Sequence, residues 1–253
     1  MRNQPVSETN HGLARTGKEI LSIQLRPDGL SFASWKEGNI ESVHIDIPAE
    51  YTADGFDYVF SSPLWPDRAF TSVWISVPTQ YAVLIPAELN RADQYALCMN
   101  TLGYPEDSHA HILPLICPAE RVLLHAVCDS VMRPLSDKYG NTVHFFHPLY
   151  VNLAQTGEKE TILQVDCAGG YGNITLNSGD ELLFADVFPL ENEAALLLAV
   201  NRIIVANKVG ALRIVCSGED SQRHVELFNH HYRNVTVHPD SEQRNLLFPF
   251  RCE

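Results

Sequence analysis

The hydrophobic pattern of the chain begins with three short alternating segments separated by tight turns. Residues 19–26, 30–35 and 40–47 place apolar side chains at every second position, which is the period of a half-buried β-strand. Pro27-Asp28-Gly29 joins the first two segments, because proline presets a turn-compatible φ and glycine accepts a positive one. The pattern predicts a meander of three antiparallel strands.

A second set of three strands begins in the middle of the chain. Segments 162–167, 173–176 and 181–188 are apolar and short, and glycine-containing turns separate them at 169–172 and 177–180. After each set of three, the pattern changes to an alternation of helical and extended segments, which is typical of an α/β unit with parallel strands added to an antiparallel edge.

Apolar periodicity, capping residues and breakers assign the remaining segments. Helices are predicted at 55–61, 86–103, 129–139, 190–208 and 220–232. Strands are predicted at 71–77, 81–85, 111–117, 121–127, 142–146, 211–216 and 234–238. Residues 147–153 have no clear pattern, and the apolar tail after residue 241 is expected to pack back on the body.

The repeated order of elements predicts a duplicated, two-lobed α/β protein. Residues 1–17 are polar and are expected to form a flexible tail. The N-terminal lobe is expected at 18–157 and the C-terminal lobe at 158–253, with the polar segment 154–159 at the boundary. A cleft between two such lobes is a common position for a ligand.

The amino-acid composition indicates which partners and which cellular environment suit the chain. The chain has 253 residues and is 45% hydrophobic, and 18 basic against 31 acidic side chains give a net charge of −13. This balance disfavours nucleic acids and anionic membranes as partners. The N-terminus lacks an apolar signal segment, and no run approaches 18 apolar residues, so no membrane insertion is expected. Six cysteines without a Cys-x-x-Cys pair indicate free thiols in a reducing cytoplasm.

The stretch Thr161–Leu176 carries the main candidate chemistry. It reads as a buried strand, a turn and a second strand, with Asp166 before the turn and Gly169, Gly170 and Gly172 within it. Glycines let backbone N–H groups approach a phosphate closely. The alternative is a hairpin whose glycines only provide positive φ angles. Both interpretations remain open from these residues alone.

The repeated order of elements resembles the actin-like ATPase superfamily, over about residues 18–240. Its members have a phosphate loop formed by a strand, an acid, small residues with glycines and a second strand, as in Ile162–Leu176 here. They also have an adenosine-binding turn with two adjacent glycines, and Ile214–Asp220 matches in position with one glycine. The candidate nucleotide-binding residues that the resemblance implies are Asp166, Gly169, Gly170, Gly172 and Gly218.

The other phosphate loop of this superfamily lies between the first two strands and carries an acid and a Gly-Thr or Gly-Ser pair. In this chain Gln24 stands at the position of the acid, and Pro27 removes a backbone donor. The layout, including Val77-Pro78-Thr79 and Leu84-Ile85-Pro86, also resembles a bacterial family of uncharacterised proteins with a reduced actin-like fold.

Three hypotheses for function follow from the resemblance. The favoured one is a non-catalytic or pseudo-ATPase module that binds a protein partner, like the cytoplasmic actin-like subunits of secretion and pilus systems, and that needs no cofactor. The second is a Mg-ATP-dependent ATPase or kinase. The third is a small-molecule sensor that uses the cleft. A homo-oligomer is compatible with each.

Other candidate chemistry is weaker. Asp166 has two interpretations, orienting a metal-bound water or accepting backbone N–H bonds of its own turn, and the second is favoured. Eleven histidines occur, but no cysteine or carboxylate stands at a ligand spacing beside them, so no metal site is predicted. The closely spaced histidines are His109 with His111, His144 with His147, and His230 with His231. Neither a Gly-x-Ser-x-Gly elbow nor a Walker-type loop occurs in the sequence.

Overall fold

The computed structural model describes residues 19–36, 39–47, 51–105, 109–154 and 160–251. The predicted tail at 1–17 and residues 155–159 of the predicted boundary segment lie outside these ranges.

The described residues form thirteen strands and seven α-helices. The strands are β1 Ile20–Arg26, β2 Gly29–Lys36, β3 Asn39–Asp46, β4 Ser72–Ser76, β5 Ala82–Pro86, β6 Ala110–Cys117, β7 Arg121–Cys128, β8 Val143–Phe146, β9 Thr161–Ala168, β10 Tyr171–Ser178, β11 Glu181–Pro189, β12 Arg213–Gly218 and β13 Val235–Val237. The helices are α1 Ala53–Ser61, α2 Ala92–Asn100, α3 Asp129–Tyr139, α4 Pro148–Ala154, α5 Glu193–Ala206, α6 Ser221–Asn229 and α7 Arg244–Leu247.

Two five-stranded sheets share one topology. The first has the order β3-β2-β1-β4-β8 and the second has the order β11-β10-β9-β12-β13. In each sheet the three meander strands are antiparallel and the two later strands run parallel to the first. Each sheet has its own apolar core, which includes Ile23, Phe32 and Ile75 in the first and Val165, Ile174 and Val200 in the second. The predicted duplication and both meanders are therefore confirmed.

Each of two short helices follows the last strand of one sheet and packs on the other sheet. Helix α4 follows the last strand of the first sheet but packs on β9 and β10 of the second. Helix α7 follows the last strand of the second sheet and packs on β1 and β2 of the first. No element was predicted at 147–153, where α4 begins with Pro148 at a position that suits proline. The expectation that the C-terminal tail packs on the body is confirmed.

A matching dipeptide begins each crossing segment. His147-Pro148 follows β8, and His238-Pro239 follows β13. In both, the histidine Nδ1 accepts a hydrogen bond from the backbone N–H two residues later, at 3.1 Å from Leu149 and 3.2 Å from Asp240. The duplication thus extends beyond the sheets into the segments that cross between them.

The first half also contains a separate three-stranded antiparallel sheet, with the order β5-β7-β6. Its strands were predicted, but their separate sheet was not. One face packs on β11 and α4 through an apolar cluster that includes Leu123, Leu149 and Val187. The predicted continuous helix at 86–103 is divided, because Pro86 ends β5 opposite Arg121, a single 3₁₀ turn follows at Ala87–Leu89, and α2 begins at Ala92.

Candidate functional site

The β9–β10 turn is the predicted phosphate loop. Gly169 and Gly170 have φ angles of +60° and +81°, which only glycine adopts without strain. A Cβ on Gly169 would lie 2.3 Å from Pro78 Cγ, whereas a Cβ on Gly170 would meet open space. The turn therefore closes directly against the segment that follows β4 in the first half of the chain.

The other two predicted glycines have packing roles. Gly172 lies inside β10 rather than in the turn, and a Cβ there would come within 3.2 Å of Leu190. Gly218 ends β12 with a φ of +82°, and its Cβ would overlap the carbonyl of Cys167 at 2.0 Å. The next residue, Glu219, donates its backbone N–H to that carbonyl over 2.7 Å. The structure therefore brings the two turns that the resemblance paired into direct contact.

The Glu219 carboxylate lies at the amide where the resemblance would place a phosphate. Gly169 N–H donates to Glu219 Oε1 over 3.3 Å, and Arg26 Nε lies 4.0 Å from the same oxygen. Burial raises the pKa of the Glu219 carboxyl, while the Gly169 amide and Arg26 lower it. An acid of the chain itself thus takes the hydrogen bond that an anion would need.

Asp166 is fully buried at the centre of a hydrogen-bond network. Ser217 Oγ donates to Asp166 Oδ1 over 2.7 Å, and Asn245 Nδ2 donates to Asp166 Oδ2 over 2.9 Å. Among the described residues these bonds come from β12 and α7 rather than from the amides of the glycine turn, so the favoured interpretation of Asp166 as a cap of its own turn was wrong.

Arg244 completes this network from the C-terminal segment. Its Nη1 donates to Ser217 Oγ over 3.0 Å and to the Asn152 side-chain oxygen of α4. Burial lowers the pKa of the Arg244 guanidinium, and the negative charge of Asp166 opposes that effect. A buried charge is costly unless it is paired and hydrogen-bonded. The Asp166–Arg244 network therefore stabilises the junction of the two crossing helices.

Two asparagines close the network. Asn152 Nδ2 donates to the backbone carbonyl of Asn173 over 3.0 Å, and Asn173 Nδ2 donates to the backbone carbonyl of Asp166 over 3.1 Å. The polar side chains on α4 and β10 are thus joined to the acid on β9. These hydrogen bonds hold α4 and β10 to β9.

The β1–β2 turn, which corresponds to the other phosphate loop, is held by Tyr51. Arg26 N–H donates to the Tyr51 hydroxyl over 2.7 Å, and that hydroxyl can donate in turn to the carbonyl of Arg26 or of Gly29. Burial raises the pKa of Tyr51, so the hydroxyl stays protonated. Gln24, two residues before this turn, is only 2% exposed. Its position matches Asp166, because each faces a serine in the neighbouring parallel strand.

A cavity of about 620 Å³ lies beside the glycine turn in the second half of the chain. It is bounded by the β9–β10 turn, the first turn of α5 and the β12–α6 turn. Its lining includes Gly170, Glu193, Glu219, Asp220 and Arg223. The lining contains three acids and one arginine, Arg223, which is paired with Glu193, so the lining side chains carry a net negative charge. Its size is within the range of small-molecule sites.

Sequence reasoning missed Glu219, Arg244, Asn245 and Asn152. Arg244 and Asn245 lie in the tail, where the sequence shows apolar residues but gives no sign of a buried charge. The repeated His-Pro dipeptide was a usable signal, because it marks where each crossing segment begins.

His147 has a hydrogen-bond partner at each ring nitrogen. Leu149 N–H donates to His147 Nδ1, so the proton resides on Nε2 and is donated to the Thr79 carbonyl over 2.9 Å. The Thr79 N–H, 3.3 Å from the same nitrogen, cannot donate to it in this tautomer. Burial lowers the pKa of His147 to about 4. Within the part of the chain that the structure describes, no group of three His, Cys, Asp or Glu side chains is placed to hold a metal ion.

Solved structures with a similar fold extend over nearly the whole chain. A Bacteroides thetaiotaomicron protein with an actin-like ATPase fold and unknown function has a TM-score of 0.78 at 14% identity, covering 93% of this chain and 96% of that chain. The PilM–PilN type IV pilus biogenesis complex gives 0.56 at 14% identity, with coverages of 91% and 95%. The cytoplasmic domain of EpsL, an inner membrane component of the type II secretion system of Vibrio cholerae, gives 0.50 at 13% identity, with coverages of 93% and 96%.

These similarities show the fold, and the predicted resemblance to actin-like ATPases is confirmed. No curated protein matches the chain in sequence. Among the described residues, none of the helices has the length and apolar character needed to cross a membrane. The family described as "Protein of unknown function (DUF3822)" matches residues 9–235. The chain therefore belongs to the DUF3822 family and has an actin-like ATPase fold.

Proposed function

We propose that this protein is a cytoplasmic, non-hydrolysing actin-like module that acts by binding a protein partner. The observation that carries the proposal is the contact between Glu219 and Gly169. A carboxylate at the Gly169 amide repels a phosphate and takes the backbone donor that a phosphate would use.

The surroundings of Asp166 support the same proposal. A catalytic acid in phosphoryl transfer must be free to orient water or contact a magnesium ion. Asp166 is instead buried, and both carboxylate oxygens accept hydrogen bonds from side chains of the protein. At the matching position of the first half, Gln24 supplies no negative charge for a metal ion.

Binding of a protein partner is supported by two similar structures. The PilM–PilN structure is a complex in type IV pilus biogenesis, and EpsL is a component of a secretion system. Both use this fold in an assembly. We propose that the present chain likewise serves as a docking module.

Thermal unfolding in the presence of Mg-ATP or Mg-ADP tests the proposal. A ligand at 100 times its dissociation constant stabilises a protein by about 2.7 kcal/mol, or roughly 5–10 °C for a chain of this size. We expect no shift at millimolar nucleotide. A clear shift with Mg-ATP that exceeds the shift with adenosine would overturn the proposal in favour of an ATPase or kinase.

The cavity beside Gly170 favours a second candidate, a sensor of a small molecule. This cavity lies within the second half of the chain, whereas the sequence-based hypothesis placed the ligand between the lobes. Its acidic lining suits a neutral or cationic molecule better than a phosphate. Stabilisation by adenosine equal to that by Mg-ATP would support this candidate, since only the part without phosphates would then bind.

A further inference from the structure

We infer that the partner binds in a groove between β11 and α5 through a segment that combines large apolar side chains with a basic residue. This inference rests on the proposed function, which it extends by naming the surface and the chemistry of the partner. The groove has a volume of about 520 Å³.

The strand β11 forms one wall of the groove. It is an edge strand of its sheet, and among the described strands β10 is its one hydrogen-bonded neighbour. Phe184, Asp186 and Phe188 occupy alternate positions and therefore lie on the same face. The two phenylalanine rings are stacked, with centroids 6.2 Å apart and an interplanar angle of 15°. They supply a continuous apolar surface with an acid between them.

The helix α5 forms the other wall. It contributes small residues, Ala195 and Ala199, which leave space above the strand, and Leu198, which is 50% exposed. Exposed apolar surface of this kind, in a groove, is typical of a site for a protein segment. Burial of Leu198 and the two phenylalanines supplies affinity.

Charges define the chemistry of the occupant. Asp186 is half-buried in the strand wall, and one carboxylate oxygen accepts the Val187 N–H over 2.8 Å. Glu191 lies at the end of the groove near the start of α5, and Arg202 lies further along the helix. The lining of the groove therefore includes two acids, Asp186 and Glu191, and one arginine, Arg202. A complementary segment places Lys or Arg against Asp186 and an acid or polar residue against Arg202.

The half-buried acid also discriminates between occupants. Burial raises the pKa of Asp186, which shows that the site disfavours its negative charge. A basic residue relieves this cost. A second copy of this chain, with its net charge of −13, adds like charge instead.

Site-specific photo-crosslinking in the cells that make the protein tests the inference. A benzophenone amino acid replaces Leu198 in the full chain, and a second version carries it at Leu64, which is similarly exposed at 48% but lies in the turn after α1. The crosslinked segment is identified by mass spectrometry. We expect the Leu198 version alone to capture a segment with at least two large apolar residues and a Lys or Arg.

A synthetic peptide of the captured segment then provides an affinity by fluorescence anisotropy. We expect Asp186→Asn, which keeps the side-chain shape, to weaken binding about tenfold, and Leu198→Glu to weaken it at least as much. Leu64→Glu is the matched control and leaves affinity unchanged. Capture of a second copy, equal capture from both positions, no capture, or affinity indifferent to Asp186→Asn each overturns the inference.

The nucleotide titrations remain separate from this test. If crosslinking fails and Mg-ATP does not bind, the proposal of a closed phosphate site is retained and the groove is rejected as the docking surface. Binding and hydrolysis of Mg-ATP would instead remove the proposed function itself.

Discussion

Asn245, in the C-terminal helix, donates its side-chain amide to the buried Asp166 carboxylate over 2.9 Å. This bond connects the last segment of the chain to the central strand of the second sheet. Since the same helix packs on β1 and β2, the contact joins the two sheets through one buried acid. The residue that most resembles a catalytic acid in the sequence thus has a structural role.

Replacing Asp166 by Asn is expected to destabilise the protein by about 3–5 kcal/mol. The change removes Asp166, one of two carboxylates, with Asp240, whose charges offset the burial of the Arg244 guanidinium, and removing one member of a buried ion network is costly. Urea unfolding followed by circular dichroism measures the loss. Asp137→Asn, on the exposed side of α3, is the control and should change stability by no more than about 0.5 kcal/mol.

Alanine substitutions at Gly169 and Gly170 distinguish the cost of steric overlap from the cost of backbone strain. Both have a positive φ, so alanine at either position costs about 1 kcal/mol or more. Only Gly169→Ala also forces a Cβ against Pro78, which adds roughly 1–3 kcal/mol of overpacking. Chemical denaturation of both variants measures the difference.

Pro78→Ala provides the internal check on that difference. Combined with Gly169→Ala, it should recover part of the lost stability, because it removes the Pro78 Cγ that the new Cβ would meet at 2.3 Å while leaving the Pro78 Cβ at 2.7 Å. Equal losses for the two glycine variants would show that the turn does not close on Pro78.

The folded protein should lose stability as the pH falls below about 6.5. Burial lowers the pKa of His125 to about 3 and of His147 to about 4, while the unfolded chain binds these protons near pH 6.5. The unfolded state therefore takes up more protons in this window, and each histidine contributes a slope of up to about 1.4 kcal/mol per pH unit. Above about pH 7.5 both are neutral in both states and the slope vanishes.

The variant His125→Phe isolates one of these slopes. Urea midpoints at pH 7.5, 6.0 and 5.0 should fall less steeply for the variant than for the parent protein, whatever its stability at pH 7.5. The pKa values of Glu219 and Asp186 are raised, so protonation of these acids stabilises the folded state as the pH falls. Both proteins contain these acids, so the difference between their pH profiles reports on His125. Parallel pH profiles would contradict the assignment of a buried neutral His125.

Local patterns predicted most of the fold. The short apolar segments around Ile23 and Ile174 identified both meanders, because turn residues bound each segment. The glycine turn was also located correctly, since only glycine adopts the φ of Gly169 and Gly170 without strain. Repetition of these patterns then predicted the duplicated architecture.

Long-range contacts were beyond the sequence pattern. Arg244 and Asp166 are 78 positions apart, and nothing local marks either as part of a buried network. Glu219 follows a predicted strand and resembles an ordinary exposed acid until the turn of Gly218 brings it to the Gly169 amide. Pairing of β5 with β7 rather than with the main sheet likewise depends on tertiary packing.

Calorimetric titration of Mg-ATP into the protein tests the central claim that the phosphate site is closed. With Glu219 on the Gly169 amide and Asp166 engaged by Ser217 and Asn245, we predict no saturable heat, which corresponds to a dissociation constant weaker than about 1 mM. Saturable one-site binding in the micromolar range would contradict the account.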